Sequence, residues 1–210
     1  MFRSFSAPTQ HELLEQVLLT AYVAEFAEWD NRPHVERIRR YTHILARATG
    51  LKQDEVDLIS AAAMLHDIGK SAHPTILLQS EEKLTPEQYK IAEQHTVEGR
   101  RLLSGSDSAL LQTAAVICMA HHERWDGSGY PEGLQGTAVP LSGRIVALAD
   151  VFDALTTKRS YKTAVKPEAA LDLIKSSSGT LFDPAMVSTF VDEFEDFKSV
   201  LRMTKDPIGV

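Results

Sequence analysis

Two successive histidines, His121-His122, stand at the end of an apolar, breaker-free run from Ala109 to Ala120 and are followed by Asp126-Gly127-Ser128-Gly129-Tyr130-Pro131. Imidazole nitrogens ligate metals or carry protons. Helix geometry sets adjacent side chains about 100° apart, so both rings reach one cation only if the helix ends there and the backbone turns. Gly127 and Gly129 permit positive φ, and Pro131 biases Tyr130 toward an extended conformation. By themselves these residues fit a polar surface loop equally well.

Further polar residues interrupt apolar helix faces. His66-Asp67, with Ile68-Gly69-Lys70 behind it, falls where a helix should be buried; Asp150 and Asp153 sit in the apolar run from Arg144 to Leu155; His95 lies within a helix of its own. An ionised carboxylate without a cationic partner is too costly to bury. A divalent cation would ionise these groups and offset their desolvation together. Separate buried hydrogen bonds are the alternative for any one position, but so many coincidences in one short chain favour a shared metal cluster.

The elements that must position these side chains read as helices almost throughout. His11 to Glu28 carries apolar residues at Leu14, Val17, Leu18, Tyr22 and Phe26, and Asn31-Arg32-Pro33 breaks it. His34 to Thr49 places Ile38, Tyr41 and Leu45 on one stripe, with Gly50 as C-cap. Asp54 to Asp67 aligns Val56, Ile59, Ala63 and His66, so that His66 ends the helix with its ring inward. Residues from Gly69 to Lys83 show no period and suggest a loop or short helical pieces. Thr85-Pro86-Glu87-Gln88 is a capping box opening a helix to about Leu103. Pro140 to Leu155 is another helix, and Pro167 and Asp183-Pro184 start two more. The spacing predicts an all-α chain, with residues 1–29 a helical arm packed on a domain spanning 30–210.

Composition bounds the function. The 210 residues, 43% hydrophobic, suffice for a full core. A net charge of −7 argues against a general binder of nucleic-acid polymers, which needs an excess of Lys and Arg. Cys118 is the only cysteine, so no internal disulfide forms. The first ten residues lack a basic-then-apolar signal pattern and no run approaches the ~20 apolar residues of a membrane span, so a cytoplasmic chain is expected.

In this order and spacing, His66-Asp67-Ile68-Gly69-Lys70, His95, His121-His122, the Asp126 to Pro131 loop and Asp150-Val151-Phe152-Asp153-Ala154-Leu155 resemble the HD-GYP domain, a branch of the HD phosphohydrolase superfamily. The likeness extends upstream to His34-Val35-Glu36-Arg37 and downstream to Arg159-Ser160-Tyr161-Lys162. It implies an HD-domain helical bundle around a bi- or trinuclear metal centre that hydrolyses cyclic di-GMP to linear pGpG, and further to GMP in some members. It implies His34, His66, Asp67 and Asp150 on one side of the cluster, with Asp67 bridging to a second metal held by His95, His121 and His122. Members with a third metal carry a glutamate where this chain has Asp30. Lys70, Arg159 and Lys162 correspond to positions that meet substrate phosphates, and Tyr130 lines the substrate edge. Arg159 and Lys162 also have helical i, i+3 spacing, although a solvated basic face explains Lys162 equally well.

Such a centre suits a phosphodiester, because divalent cations activate water and neutralise phosphoryl charge without a Ser or Cys nucleophile. The mixed imidazole and carboxylate set fits Fe(II) or Mn(II), though Zn(II) would bind the same atoms. Asp153 reads as a residue orienting a ligand, and Trp125 and Tyr130 as surfaces on which guanine stacks. The chain departs from the family after Lys70, where His73 and Thr75 replace the usual residues of an Ile-Pro-Asp step. His73, like His11 and His43, is read as a non-ligand, and the altered stretch as part of a lid. Two other functions stay open: a non-hydrolytic sensor or interaction module that binds the cyclic dinucleotide, or a diguanylate cyclase (GGDEF) domain, through the Gly-Tyr-Pro surface, and a phosphodiesterase acting on 3′,3′-cyclic GMP-AMP.

Overall fold

The structure, a computed structural model, describes residues 16–17, 19–21, 32–72, 84–158 and 163–204. Helices α1 (Arg32–Ala48), α2 (Gln53–Ala63), α3 (Pro86–Glu93), α4 (His95–Leu103), α5 (Ala109–Ala120), α6 (Leu141–Thr156), α7 (Pro167–Ser176), α8 (Pro184–Asp192) and α9 (Phe194–Met203) follow in order. Short 3-10 turns occupy Ile68–Ala72 and Gly136–Ala138. No strand is present among the described residues, only isolated bridges. No helix among them is long and apolar enough to cross a membrane.

The stripe read on α1 is the core face. Val35, Ile38, Tyr41 and Leu45 are fully enclosed, and Tyr41 lies flat on Phe197 at 4.4 Å with Phe152 at its edge at 5.4 Å. Offset and edge-on aromatic pairs add about 0.5–1.5 kcal/mol to the burial they accompany. This aromatic knot ties α1, α6 and α9 together. Helices α1 and α6 also pack on each other directly, as do α2 with α5, α4 with α5, and α5 with α6. At the α5–α6 crossing a Cβ on Gly143 would stand 2.4 Å from the Ala120 Cβ, so only glycine permits the approach. The cluster residues lie on or beside helices that share this core.

Three helix boundaries differ from those the spacing predicts. Helix α1 begins at Arg32, placing Pro33 in its first turn, where a missing N–H is no loss. Helix α2 stops at Ala63, and the chain then tightens: Leu65, His66, Ile68 and Lys70 donate to carbonyls three residues back. His66 therefore sits in a narrowed turn beyond the helix rather than at its end. The span from Pro86 to Leu103 is two helices meeting at Gln94. There the His95 ring nitrogen Nδ1 takes the Ala92 carbonyl (2.6 Å) and Thr96 Oγ1 takes that of Glu93 (2.8 Å), acceptors a continuous helix would use for its own N–H groups. The Thr85 capping box is formed, with Gln88 N on Thr85 Oγ1 and Thr85 N on Gln88 Oε1 at 2.8 Å.

Most of the arm at 1–29 lies outside the described residues. Gln16, Val17, Leu19, Thr20 and Ala21 are helical, with Ala21 in the core and Val17 against it.

Candidate metal centre

The turn after α5 is built by its loop. His121 closes the helix with its N–H on the Ile117 carbonyl, and Glu123 N returns to Ala120 O at 3.0 Å. Gly127 has φ 82°, and a Cβ on Gly129 would stand 2.4 Å from Arg124 N. Glu123 holds the loop from inside: its buried carboxylate accepts N–H bonds from Glu132 (2.7 Å), Gly133 (3.1 Å) and Leu134 (2.9 Å). Nothing in the local sequence marks Glu123 for this, because its partners follow nine or more residues later. Gly69 brings the His66-Asp67 turn to the start of α4 so closely that a Cβ there would overlap His95 O.

These elements bring His34, His66, Asp67, His95, His121, His122 and Asp150 together in two groups. Asp67, His95, His121 and His122 form one, and His34, His66 and Asp150 the other, each with donor atoms within 4.8 Å of one another. In the first, Asp67 Oδ1 stands 3.3 Å from His95 Nε2 and 3.5 Å from His121 Nε2, and the two nitrogens are 3.4 Å apart. Donors that share one cation at roughly 2 Å are spaced about this far from each other. The second group is wider: Asp150 Oδ1 is 3.9 Å from His34 Nε2 and 4.0 Å from His66 Nε2. Asp67 touches both, since its Oδ2 lies 3.2 Å from His66 Nε2.

Protonation follows from the partners of the other ring nitrogen. Nδ1 of His66 donates to Ala63 O at 3.0 Å, that of His95 to Ala92 O, and that of His121 to Ile117 O and Cys118 O, both at 3.0 Å. Carbonyls only accept, so Nδ1 carries the proton and each Nε2 presents a lone pair inward. His34 Nδ1 instead donates to Asp153 Oδ2 at 2.8 Å. Lone pairs from several rings thus face carboxylate oxygens. Buried Asp67 Oδ1 has no hydrogen-bond donor among the described residues. An acceptor set of this kind repels itself unless a cation sits in it, so the residues fit divalent metal.

The electrostatics agree. Burial alone would raise the Asp67 pKa, but Lys70, whose Nζ is 2.7 Å from Oδ2, and His66 hold it well below the usual carboxylate range. Burial pushes His95 down to about 4 and, with His121 and His95 alongside, drives His122 well below the imidazole value. Both rings are therefore neutral at pH 7, as metal ligation requires. Asp153, itself buried, would be raised by desolvation, yet His34 and Arg37 keep it ionised; Arg37 Nε reaches Asp153 Oδ1 at 2.5 Å.

Of the residues expected at the substrate, Lys70 is paired with Asp67, and Tyr130 stacks on the His122 ring at 4.8 Å and 25°. Trp125 lies under the Arg144 guanidinium, 5.8 Å from its ring centre, with its backbone tied to Leu181. Asp30, Arg159, Lys162 and His73 lie outside the described residues. Asp153 does orient a histidine, as its place one turn after Asp150 suggests, but its tie to Arg37 crosses 116 positions and leaves no local trace.

Residues 15–186 match the HD domain family. A cyclic di-GMP phosphodiesterase of Thermotoga maritima is 40% identical over 200 residues, 94% of this chain and 54% of that protein. A 3′3′-cGAMP-specific phosphodiesterase 2 of Vibrio cholerae is 39% identical over 192 residues, 91% of this chain and 37% of that protein. The chain thus spans about half or less of the length of these relatives. Among solved structures, a cyclic GMP-AMP specific phosphodiesterase of V. cholerae superposes with a TM-score of 0.61 at 20% identity, over 92% of this chain and 51% of that one, a likeness of fold. With the family match, these relatives and the ordered set from His66-Asp67 to Tyr130-Pro131, the chain belongs to the HD-domain family, in its HD-GYP branch.

Proposed function

We propose that the chain hydrolyses the phosphodiester bonds of cyclic di-GMP, the first cut giving linear pGpG and a second, where it follows, GMP, using divalent metal held by His34, His66, Asp67, His95, His121, His122 and Asp150. The observation that carries this reading is Asp67, which turns one carboxylate oxygen to each ligand group. When bound, the cations supply a nucleophilic water at neutral pH and neutralise charge growing on the phosphoryl oxygens. The protein's residues do the rest. Asp67 would hold metal through Oδ1 beside His95 and His121 and through Oδ2 beside His66, and Asp153 fixes the ring plane of His34. Lys70, partly exposed beside Asp67, meets the phosphate and supplies the proton that the departing 3′ oxygen takes up as the P–O3′ bond breaks. Arg159 and Lys162 are assigned with Lys70 to the substrate phosphates, Tyr130 to the substrate edge, and Asp30 to a third metal only where the centre holds three rather than two.

Fe(II) or Mn(II) suits the mixed nitrogen and oxygen set best. The same reading places the chain in the cytoplasm and gives the Gly-Tyr-Pro loop a second role as a docking point for diguanylate cyclase (GGDEF) domains. A preference for 3′,3′-cyclic GMP-AMP is the second reading, favoured by the name of the V. cholerae relative.

Anaerobically purified protein, assayed for metal and then incubated with each dinucleotide in turn, separates these readings. Linear pGpG formed faster than the product of 3′,3′-cyclic GMP-AMP is the expected result. The opposite order moves the substrate assignment, and binding without any linear product makes the chain a sensor.

A further inference from the structure

Helix α3 is unusual in burying none of its residues. It is capped by the Thr85 box and joined to α4 at Gln94, and its aromatic residue, Tyr89, is 53% exposed. That ring is nevertheless not remote from the metal centre. It stands 6.4 Å from the Tyr130 ring at an interplanar angle of 78°, and Tyr130 lies against His122, whose ring is 5.0 Å from that of His95. The aromatic series runs outward from the candidate metal ligands and ends on a face open to solvent.

We propose that Tyr89 and Tyr130 form a right-angled aromatic corner that receives one purine base of the substrate, with Tyr89 supplying the stacking face. This rests on the cyclic-dinucleotide reading given above. The phosphate is drawn to the cations and Lys70, so the bases must lie to the side, and one face of Tyr130 is already covered by His122. A flat base laid on Tyr89 meets the perpendicular Tyr130 with its rim. Stacking accepts any purine, so the corner adds affinity for a cyclic dinucleotide without choosing guanine over adenine. Among the described residues, Tyr130 is the ring that Tyr89 meets, and the rest of its exposed side chain is available to a ligand. Tyr89 is thus a substrate-positioning residue and takes no part in bond breaking.

The test compares wild type with Tyr89→Ala, Tyr89→Leu and Tyr89→Phe, all Mn(II)-loaded, with metal content and circular dichroism measured alongside. Loss of the stacking face should raise KM for cyclic di-GMP about tenfold in the Ala and Leu variants, with kcat within about twofold and metal content unchanged; Phe should behave as wild type. An unchanged KM in the Ala variant, or a Leu variant matching wild type, overturns the corner while leaving the phosphodiesterase reading intact. Loss of metal together with kcat in the Ala variant also overturns it, because Tyr89 would then be supporting His95. Wild-type protein that neither binds nor cleaves cyclic dinucleotides overturns the function and the corner with it.

Discussion

His95 and His121 are aimed by main-chain carbonyls within a turn of their own positions, whereas His34 is aimed by Asp153, a carboxylate on another helix. The two ligand groups also differ in spacing, even though His66, in the second, is aimed by the Ala63 carbonyl in the same way as His95 and His121. Asp67 Oδ1, His95 Nε2 and His121 Nε2 stand 3.3 to 3.5 Å from one another, while Asp150 Oδ1 stands 3.9 and 4.0 Å from His34 and His66. Backbone carbonyls in a packed helix do not relax, so a ligand they orient is pre-set. Asp150 is partly exposed, and it stands farther from the His34 and His66 rings than Asp67 does from His66. We therefore expect the closer group to be the stronger metal position and the wider one the more exchangeable.

The most severe way to break this contrast is to remove the group common to both halves. Asp67→Ala should release metal from both positions and lower turnover by roughly a thousandfold or more, since metal supplies several kcal/mol of charge stabilisation. Elemental analysis with a rate measurement reads this directly. Metal retained at full occupancy would show that the halves bind independently.

Acid should act next. A His95 pKa of about 4, below the ordinary 6.5, means that the unfolded chain takes up a proton between those values and the folded chain does not. The contribution to stability is complete above pH 6.5 and is lost as pH falls toward 4, on the order of 3 kcal/mol for this group alone. The depressed carboxylates Asp67 and Asp153 act only below the ordinary carboxylate value, outside this window. Urea midpoints of chelator-treated protein at pH 7 and pH 4.5 should therefore separate clearly, and a flat profile removes the buried-imidazole account of the closer group.

A finer cut affects one half only. Asp153→Asn frees the His34 ring and should weaken metal binding at the wider position by roughly 10–100-fold while sparing the other. Calorimetric metal titration should show two steps moving apart, and two equally weakened steps would mean that the halves are not separable. The smallest effect concerns substrate. Tyr130→Ala should raise KM about tenfold with little change in kcat, and unchanged steady-state kinetics would release Tyr130 from the substrate edge.

Much of this was legible in the sequence where the cause is local. The apolar run from Ala109 to Ala120 is the helix observed, and the Thr85 box caps the helix it announces, because hydrophobic period and capping act within a few residues. The histidines and acids of the cluster were recognisable because burying them without a cation is so costly. The break at Gln94 was not readable, since neither glycine nor proline marks it and the side chains of His95 and Thr96 make it. The division of the C-terminal stretch into α8 and α9 at Glu193 was likewise unannounced. The order of residues thus sets which donors are present, on or beside which helices and in what succession. That Asp67 serves both groups was implied by the family likeness, but that Glu123 anchors the loop and that Arg37 and Asp153 meet across the fold emerged from the folded chain alone. Those depend on contacts between residues distant in the chain, which periodicity and spacing do not encode.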